Sequence, residues 1–255
     1  MLNTYLKNRL TEKEILLMTH IVIGYPSFEA SLEIIETMVA VGVDLMELQI
    51  PFSEPTADGP VISQANQKAL ENGVTVEACL KFAETAAGRF DIPFLIMTYY
   101  NIPFKYGLNR FVAKLADSGL QGAIIPDIPP EEGSEYLAAM QHQNLAAILI
   151  YSPTTSPQRM RYIDTFASGF IYCVARKGVT GQETKFSEDL EVYLNQCRQS
   201  TRLPLALGFG IKEKSDIDFL KGQADIAVIG SQTIRVMEEE GIEAVGEFIR
   251  GLRMG

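Results

Sequence analysis

Eight short runs of apolar, largely β-branched residues recur along this chain, at 16–23, 43–48, 94–97, 122–125, 146–150, 170–174, 205–207 and 226–229. Runs of this length without polar alternation read as strands buried on both faces. Between them apolar residues recur three and four apart, as at Leu32, Ile35, Met38 and Val39, or Phe111, Leu115 and Leu120, the spacing of helices that bury one side. Strand alternating with helix implies a parallel sheet, because the helix is the crossover that returns the chain to the same edge. Gly42, Gly119 and Gly222 stand where helix gives way to strand, as helix C-caps do. No GxGxxG follows the first run, which weighs against a doubly wound sheet, and eight units suit closure. The expected fold is therefore a single (β/α)8 TIM barrel domain over residues 1–255, a chain length usual for it. Residues 2–10 are expected as an extra N-terminal helix across the barrel's N-terminal mouth, and 61–89 leaves room for another helix before the third strand.

The formal charge of -10, from 22 Lys and Arg against 32 Asp and Glu, argues against nucleic acid or an anionic membrane as a partner. An anionic ligand must then be held by local geometry rather than by a basic field. Cys79, Cys173 and Cys197 are widely spaced and form no CxxC, so they read as free thiols of a reducing compartment and not as metal ligands. The first fifteen residues are polar and amphipathic, unlike a signal peptide, and no apolar run approaches the ~18 residues of a membrane span. A cytoplasmic location is expected.

Chemistry in such a barrel sits on the loops that follow the strands. The segment VDLMELQIPFSEPTADGP, residues 43–60, places Glu47 inside the second apolar run with no Lys or Arg within eight residues on either side. An ionised carboxylate is costly to bury, so Glu47 is either solvated at the strand's open end or kept for function. Pro51, Pro55 and Pro60 forbid regular structure and form a loop that brings Asp58 back toward the strand end bearing Glu47. Two carboxylates in different environments can divide acid and base work.

Glycines gather on three consecutive late loops: Gly178 and Gly181, then Gly208 and Gly210, then Gly230 beside Ser231. Singly each could also serve only as a tight turn, the less favoured reading. Together they let backbone N–H groups approach an anion, and a helix starting near Ser231 adds its dipole, which points to phosphate. Met97, Tyr99, Ile124, Ile150, Tyr172 and Phe209 are expected to line the space between acids and glycines, a surface for a flat aromatic, although Met97 and Ile150 taken singly read more readily as barrel core. The Tyr172 hydroxyl is expected to reach Glu47 and fix its orientation. Residues 176–186 read as a lid over the ligand. His20, in the first run, and His142, in a polar turn, read as structural or solvated.

Taken in order, ELQIPFSEPTADGPVI, Tyr99-Tyr100-Asn101, Pro126-Asp127-Ile128-Pro129, Ser152-Pro153-Thr154-Thr155, RKGVTG at 176–181, Gly208-Phe209-Gly210-Ile211 and Gly230-Ser231 resemble the alpha subunit family of tryptophan synthase over nearly the whole chain. The resemblance implies a lyase of tryptophan biosynthesis that cleaves indole-3-glycerol phosphate to indole and glyceraldehyde 3-phosphate by a retro-aldol reaction. Glu47 matches the family's acid–base carboxylate, and Asp58 the carboxylate that accepts from the indole N–H. Tyr99, Ile124, Ile150, Tyr172, Thr180, Gly181, Phe209, Gly210, Gly230 and Ser231 would bind substrate. No cofactor or metal is implied for this chain. A pyridoxal-phosphate beta subunit is the implied partner, in an alpha2beta2 heterotetramer. The chain departs from the family pattern at Tyr25, Gln49, Glu54 and Thr56, where an Asp, a Gly, an Asp and a Leu are usual. A stand-alone lyase that releases indole, and a mainly allosteric barrel with reduced turnover, stay open as alternatives; the intact Glu47 and Asp58 weigh against the second.

Overall fold

A computed structural model of the protein describes residues 2–175, 188–208 and 210–253. Its eight strands are β1 (Leu16–Val22), β2 (Leu45–Gln49), β3 (Phe94–Met97), β4 (Gly122–Ile124), β5 (Ala146–Tyr151), β6 (Ile171–Val174), β7 (Leu205–Gly208) and β8 (Ile226–Ile229). Each pairs in parallel with the next, and β8 pairs back onto β1, so the sheet closes into a barrel in chain order. Around it lie α1 (Leu2–Glu12), α2 (Phe28–Ala40), α3 (Pro60–Glu71), α4 (Val76–Arg89), α5 (Asn101–Tyr106), α6 (Leu108–Asp117), α7 (Ser134–His142), α8 (Pro157–Asp164), α9 (Glu188–Ser200), α10 (Lys214–Leu220), α11 (Ser231–Glu240) and α12 (Ile242–Arg253). The expected barrel is present, α1 is its extra N-terminal helix, and 61–89 holds two helices, α3 and α4. Among the described residues no helix is long and apolar enough to cross a membrane.

Because side chains alternate along a strand, each strand contributes to two cores. Leu16, Met18, Leu45, Leu95, Met97, Ile124, Ala146, Ile148, Ala206, Ile226 and Val228 turn inward and fill the lumen. Their neighbours Leu17, Ile21, Met46, Leu48, Ile96, Ala123 and Ile171 turn outward and pack under the helices. The lumen is sealed at its N-terminal end by α1, whose buried Leu2 and Leu6 join the inward set. That floor is held electrostatically as well. Asp44, just before β2 and fully buried, accepts the Leu17 N–H at 3.0 Å and pairs with Arg9 at 2.9 Å, Lys13 at 2.6 Å and Arg253. Burial alone would raise the Asp44 pKa, but the hydrogen bonds from Lys13, the Leu17 N–H and Arg9, with the Arg253 charge, hold it below the usual carboxylate value.

Closure is tightest where small residues let backbones approach. Gly122 on β4 is the register partner of Ala146 on β5, and a Cβ placed on it would lie 2.4 Å from the Ala146 carbonyl oxygen and 2.9 Å from its Cβ. Backbone cannot yield as a side chain does. Gly122→Ala is therefore expected to cost about 1–3 kcal/mol by overpacking and to lower Tm by several degrees in thermal unfolding followed by circular dichroism; an unchanged Tm would contradict this β4–β5 register.

Candidate active site

At the C-terminal mouth the inward positions stop being purely apolar. His20 on β1, Glu47 and Gln49 on β2 and Tyr172 on β6 take the upper places, and with Asp58 from the β2–α3 loop all except Gln49 line one cavity of about 640 Å³. Met97, Ile124, Ile150 and Val228 make its apolar wall, while Gly208, Gly210, Gly230 and Ser231 close the opposite side.

Glu47 is 4% exposed, and its Oε1 lies 2.9 Å from Nδ1 of His20, its register partner on β1. Oε2 of Glu47 is buried without a hydrogen-bond partner. His20 is thus an orienting group for Glu47, and the Tyr172 hydroxyl also acts on the Glu47 carboxylate by hydrogen bonding and charge. The Tyr172 ring stands over Gly208, where an added Cβ would meet its hydroxyl at 2.9 Å. Burial, followed by the negative charges of Glu47 and Asp58, pushes the Tyr172 phenol well above its ordinary value, so it stays neutral.

The loop that carries Asp58 is tied down from below. Phe52 donates its N–H to Oδ1 of the fully buried Asn66 on α3 at 3.0 Å and stacks on Tyr99 with ring centroids 5.1 Å apart. The Tyr99 hydroxyl accepts the Ala57 N–H at 3.0 Å. Tyr99, only 1% exposed, therefore supports the loop from behind instead of lining the cavity as expected. Oδ2 of Asp58 accepts from the amides of Gln49 at 2.7 Å and Asn66 at 3.3 Å. Burial raises the Asp58 pKa above its ordinary value, against the lowering effects of the Gln49 hydrogen bond and the His20 charge.

The far side of the cavity is suited to an anion. Gly230 caps α11 and supplies no side-chain hydrogen bond, so the N-terminal N–H groups around Ser231 remain available at the positive end of the helix dipole. Gly210 carries a φ of +87° on the neighbouring loop, a conformation that glycine adopts without strain. Of the remaining expected contacts, Thr180, Gly181 and Phe209, like the whole of the 176–186 lid, lie outside the described residues. His142 ends α7 on the surface. Among the described residues no cluster of three or more His, Cys, Asp or Glu is placed to hold a metal, and Cys79, Cys173 and Cys197 are buried free thiols.

The sequence model of the tryptophan synthase alpha chain family matches residues 6–250, and the alpha chain of Desulforapulum autotrophicum is 62% identical over 99% of this chain and 100% of that relative. The chain belongs to the tryptophan synthase alpha chain family. The alpha chain of Syntrophotalea carbinolica is 60% identical with the same 99% and 100% coverage. Among solved structures, tryptophan synthase subunit alpha from Legionella pneumophila aligns with a TM-score of 0.90 at 28% identity, covering 99% of this chain and 96% of that one. Family membership agrees with the barrel, the paired acids and the glycine rim. His20, Gln49 and Asn66 escaped sequence reasoning as site residues. For Asn66 a signal existed, since it interrupts the buried face of α3 between Ala65 and Ala69.

The raised Asp58 pKa has a consequence for stability. A carboxylate whose folded pKa exceeds its unfolded one destabilises the fold as pH rises through that interval, so the cost is absent below about pH 3.8 and complete above the folded value. Asp58→Asn keeps an acceptor for Gln49 and Asn66 and removes the charge. Its Tm at pH 7.5, by scanning calorimetry, is expected to equal or exceed that of the parent, with any gain vanishing near pH 4; a clearly lower Tm would show that the ionised form stabilises the loop.

Proposed function

We propose that this alpha-chain family member cleaves indole-3-glycerol phosphate to indole and glyceraldehyde 3-phosphate, with Glu47 and Asp58 as its catalytic carboxylates. The observation that carries the reading is that both acids line one cavity whose wall is apolar and whose far side is a glycine-rich helix N-terminus. An indole ring fits against Met97, Ile124 and Ile150, and the phosphate is met by backbone N–H groups near Gly210, Gly230 and Ser231. This division explains how a chain of formal charge -10 binds an anion: by aimed dipoles, not by a field.

The chemistry follows from the ring. Glu47, in its protonated form, gives a proton to the ring carbon that carries the glyceryl chain, and the ring nitrogen becomes an iminium. Asp58 accepts the N–H of that cation and stabilises it where the charge develops. The Glu47 carboxylate then takes the proton of the adjacent side-chain hydroxyl. The oxygen's electrons form the aldehyde carbonyl, and the carbon–carbon bond pair returns to the ring, neutralises the nitrogen and releases indole. One proton enters and one leaves through the same carboxylate, so neither a metal nor a Schiff-base lysine is required.

The same reading extends to a beta partner that carries pyridoxal phosphate and takes up the indole, in an alpha2beta2 heterotetramer of the cytoplasm. This chain contributes one barrel domain over residues 1–255 and holds no cofactor of its own; the family membership and the neighbouring tryptophan synthase structures support that partner.

Glu47→Gln retains the size of the side chain and an oxygen for His20. It is expected to reduce indole release from the purified chain at least about 10²-fold, with glycerol 3-phosphate affinity nearly unchanged in titration calorimetry. Indole release by the parent chain is expected to rise on addition of a beta subunit. Full turnover by Glu47→Gln would remove Glu47 from the reaction.

A further inference from the structure

Each catalytic acid is held by a side chain that sequence reasoning had left outside the site, and those two side chains stand next to one another. His20 faces Glu47 directly across the β1–β2 pair, with Nδ1 2.9 Å from Oε1. Gln49, two residues beyond Glu47 and on the same inward face, gives its amide N–H to Asp58 at 2.7 Å. That bond decides which end of the amide is oxygen, so Oε1 of Gln49 must turn away from Asp58. Both Oε1 of Gln49 and Nε2 of His20 are buried without partners, in side chains that are 0% and 3% exposed. A buried acceptor and a buried donor left unmade at adjacent positions each carry a desolvation cost that a bond between them relieves.

We propose that His20 and Gln49 are positioning residues that join the two catalytic carboxylates into one polar chain, running Glu47, His20, Gln49, Asp58. This deepens the reading of the site given above and rests on it. The imidazole has an acceptor on each side, the Glu47 carboxylate at Nδ1 and the Gln49 carbonyl at Nε2, so it carries hydrogen on both nitrogens and is an imidazolium. The titratable groups facing it are Glu47 from β2 and Asp58 from the loop after β2. The phenols of Tyr172 from β6 and of Tyr25 after β1 stay neutral, and what β8 and α11 bring to this wall, Val228, Gly230, Ser231, Gln232, Thr233, Ile234 and Met237, does not ionise. Burial disfavours the imidazolium, but the hydrogen bond and charge of Glu47, the charge of Asp58 and the Gln49 amide outweigh it and lift the His20 pKa above 6.5.

The chain has a chemical result. With Oε1 of Glu47 engaged by His20, the unpartnered Oε2 is left as the oxygen that exchanges protons with the ligand. The same chain fixes the spacing between the acid at the ring carbon and the acid at the ring nitrogen. It holds while His20 is charged, so turnover falls as pH rises through the His20 midpoint.

Two measurements test this. In the histidine ¹⁵N spectrum, simplified by His142→Gln, His20 is expected to show both nitrogens protonated at pH 7 and to titrate with a midpoint above 6.5; Glu47→Gln is expected to move that midpoint down. A neutral His20 at pH 7 overturns the proposal, and this readout does not depend on activity. In kinetics, His20→Phe and Gln49→Ala are each expected to lower kcat by about 10–10²-fold with KM little changed. The alkaline decline in kcat is expected to vanish in His20→Phe, and the double variant to lose no more than the worse single one. Losses that multiply, or an unchanged alkaline limb, overturn it. Should His20→Phe not fold, Gln49→Ala and the parent spectrum still decide. A parent chain that releases no indole would sink the proposed function and leave the spectroscopic result readable.

Discussion

The pairing of β1 with β2 is the constraint on which the site depends. Five register partners, from Met18 with Leu45 to Val22 with Gln49, set which residues of the two strands share the lumen. A slip of one residue would turn Glu47 toward the helices and put Met46 in the cavity, since the side-chain period is two. With the register as it is, His20, Glu47 and Gln49 stand together at the upper end of a lumen filled below by apolar side chains. The lower layers supply the apolar burial that keeps the barrel closed, and this rigid base lets three polar side chains occupy the top. The rest of the site is then attached: the Asp58 loop through Gln49, Asn66 and Tyr99, and the anion end through the N-terminus of α11.

Much of this was legible in the chain. All eight apolar runs became strands, because a strand buried on both faces has a composition that few other elements share. Their ends shifted by a residue or two where a neighbour decided the matter: β2 starts at Leu45, after Asp44 has turned to the floor, and runs on to Gln49, whose backbone still pairs with β1. Lone residues were less readable. His20 and Glu47 are 27 positions apart, and only closure of the parallel pair makes them adjacent, so His20 looked like an isolated histidine in a strand. Tyr99 follows β3, where a cavity contact was expected; its ring stacks on Phe52, and its hydroxyl takes the Ala57 N–H and faces Asp58 from behind the cavity. Tyr172 lines the wall and acts on Glu47 as the spacing suggested, while His20, the second group on that carboxylate, is one that sequence spacing cannot bring into view.

The site illustrates how function is set against stability in a small volume. Asp58 is drawn into surroundings that resist its charge, and two amides are committed to holding it. Glu47 keeps one oxygen bare inside the barrel. Neither choice serves folding. Both leave acceptors where an electron-deficient ring could develop, and the dry wall around them strengthens any charge that forms there. In the proposed function the anion is left to glycine backbone at the opposite side of the cavity.

Asp44 ties the first helix, through Arg9, to the last, through Arg253, directly beneath the barrel floor. Any polypeptide added before α1 or after α12 therefore leaves from the closed end of the barrel, about one barrel height from the mouth. Labels, immobilisation linkers or fused domains can be attached at either extremity without shadowing the mouth, and their attachment would first be felt as a loosening of the plug formed by Leu2 and Leu6.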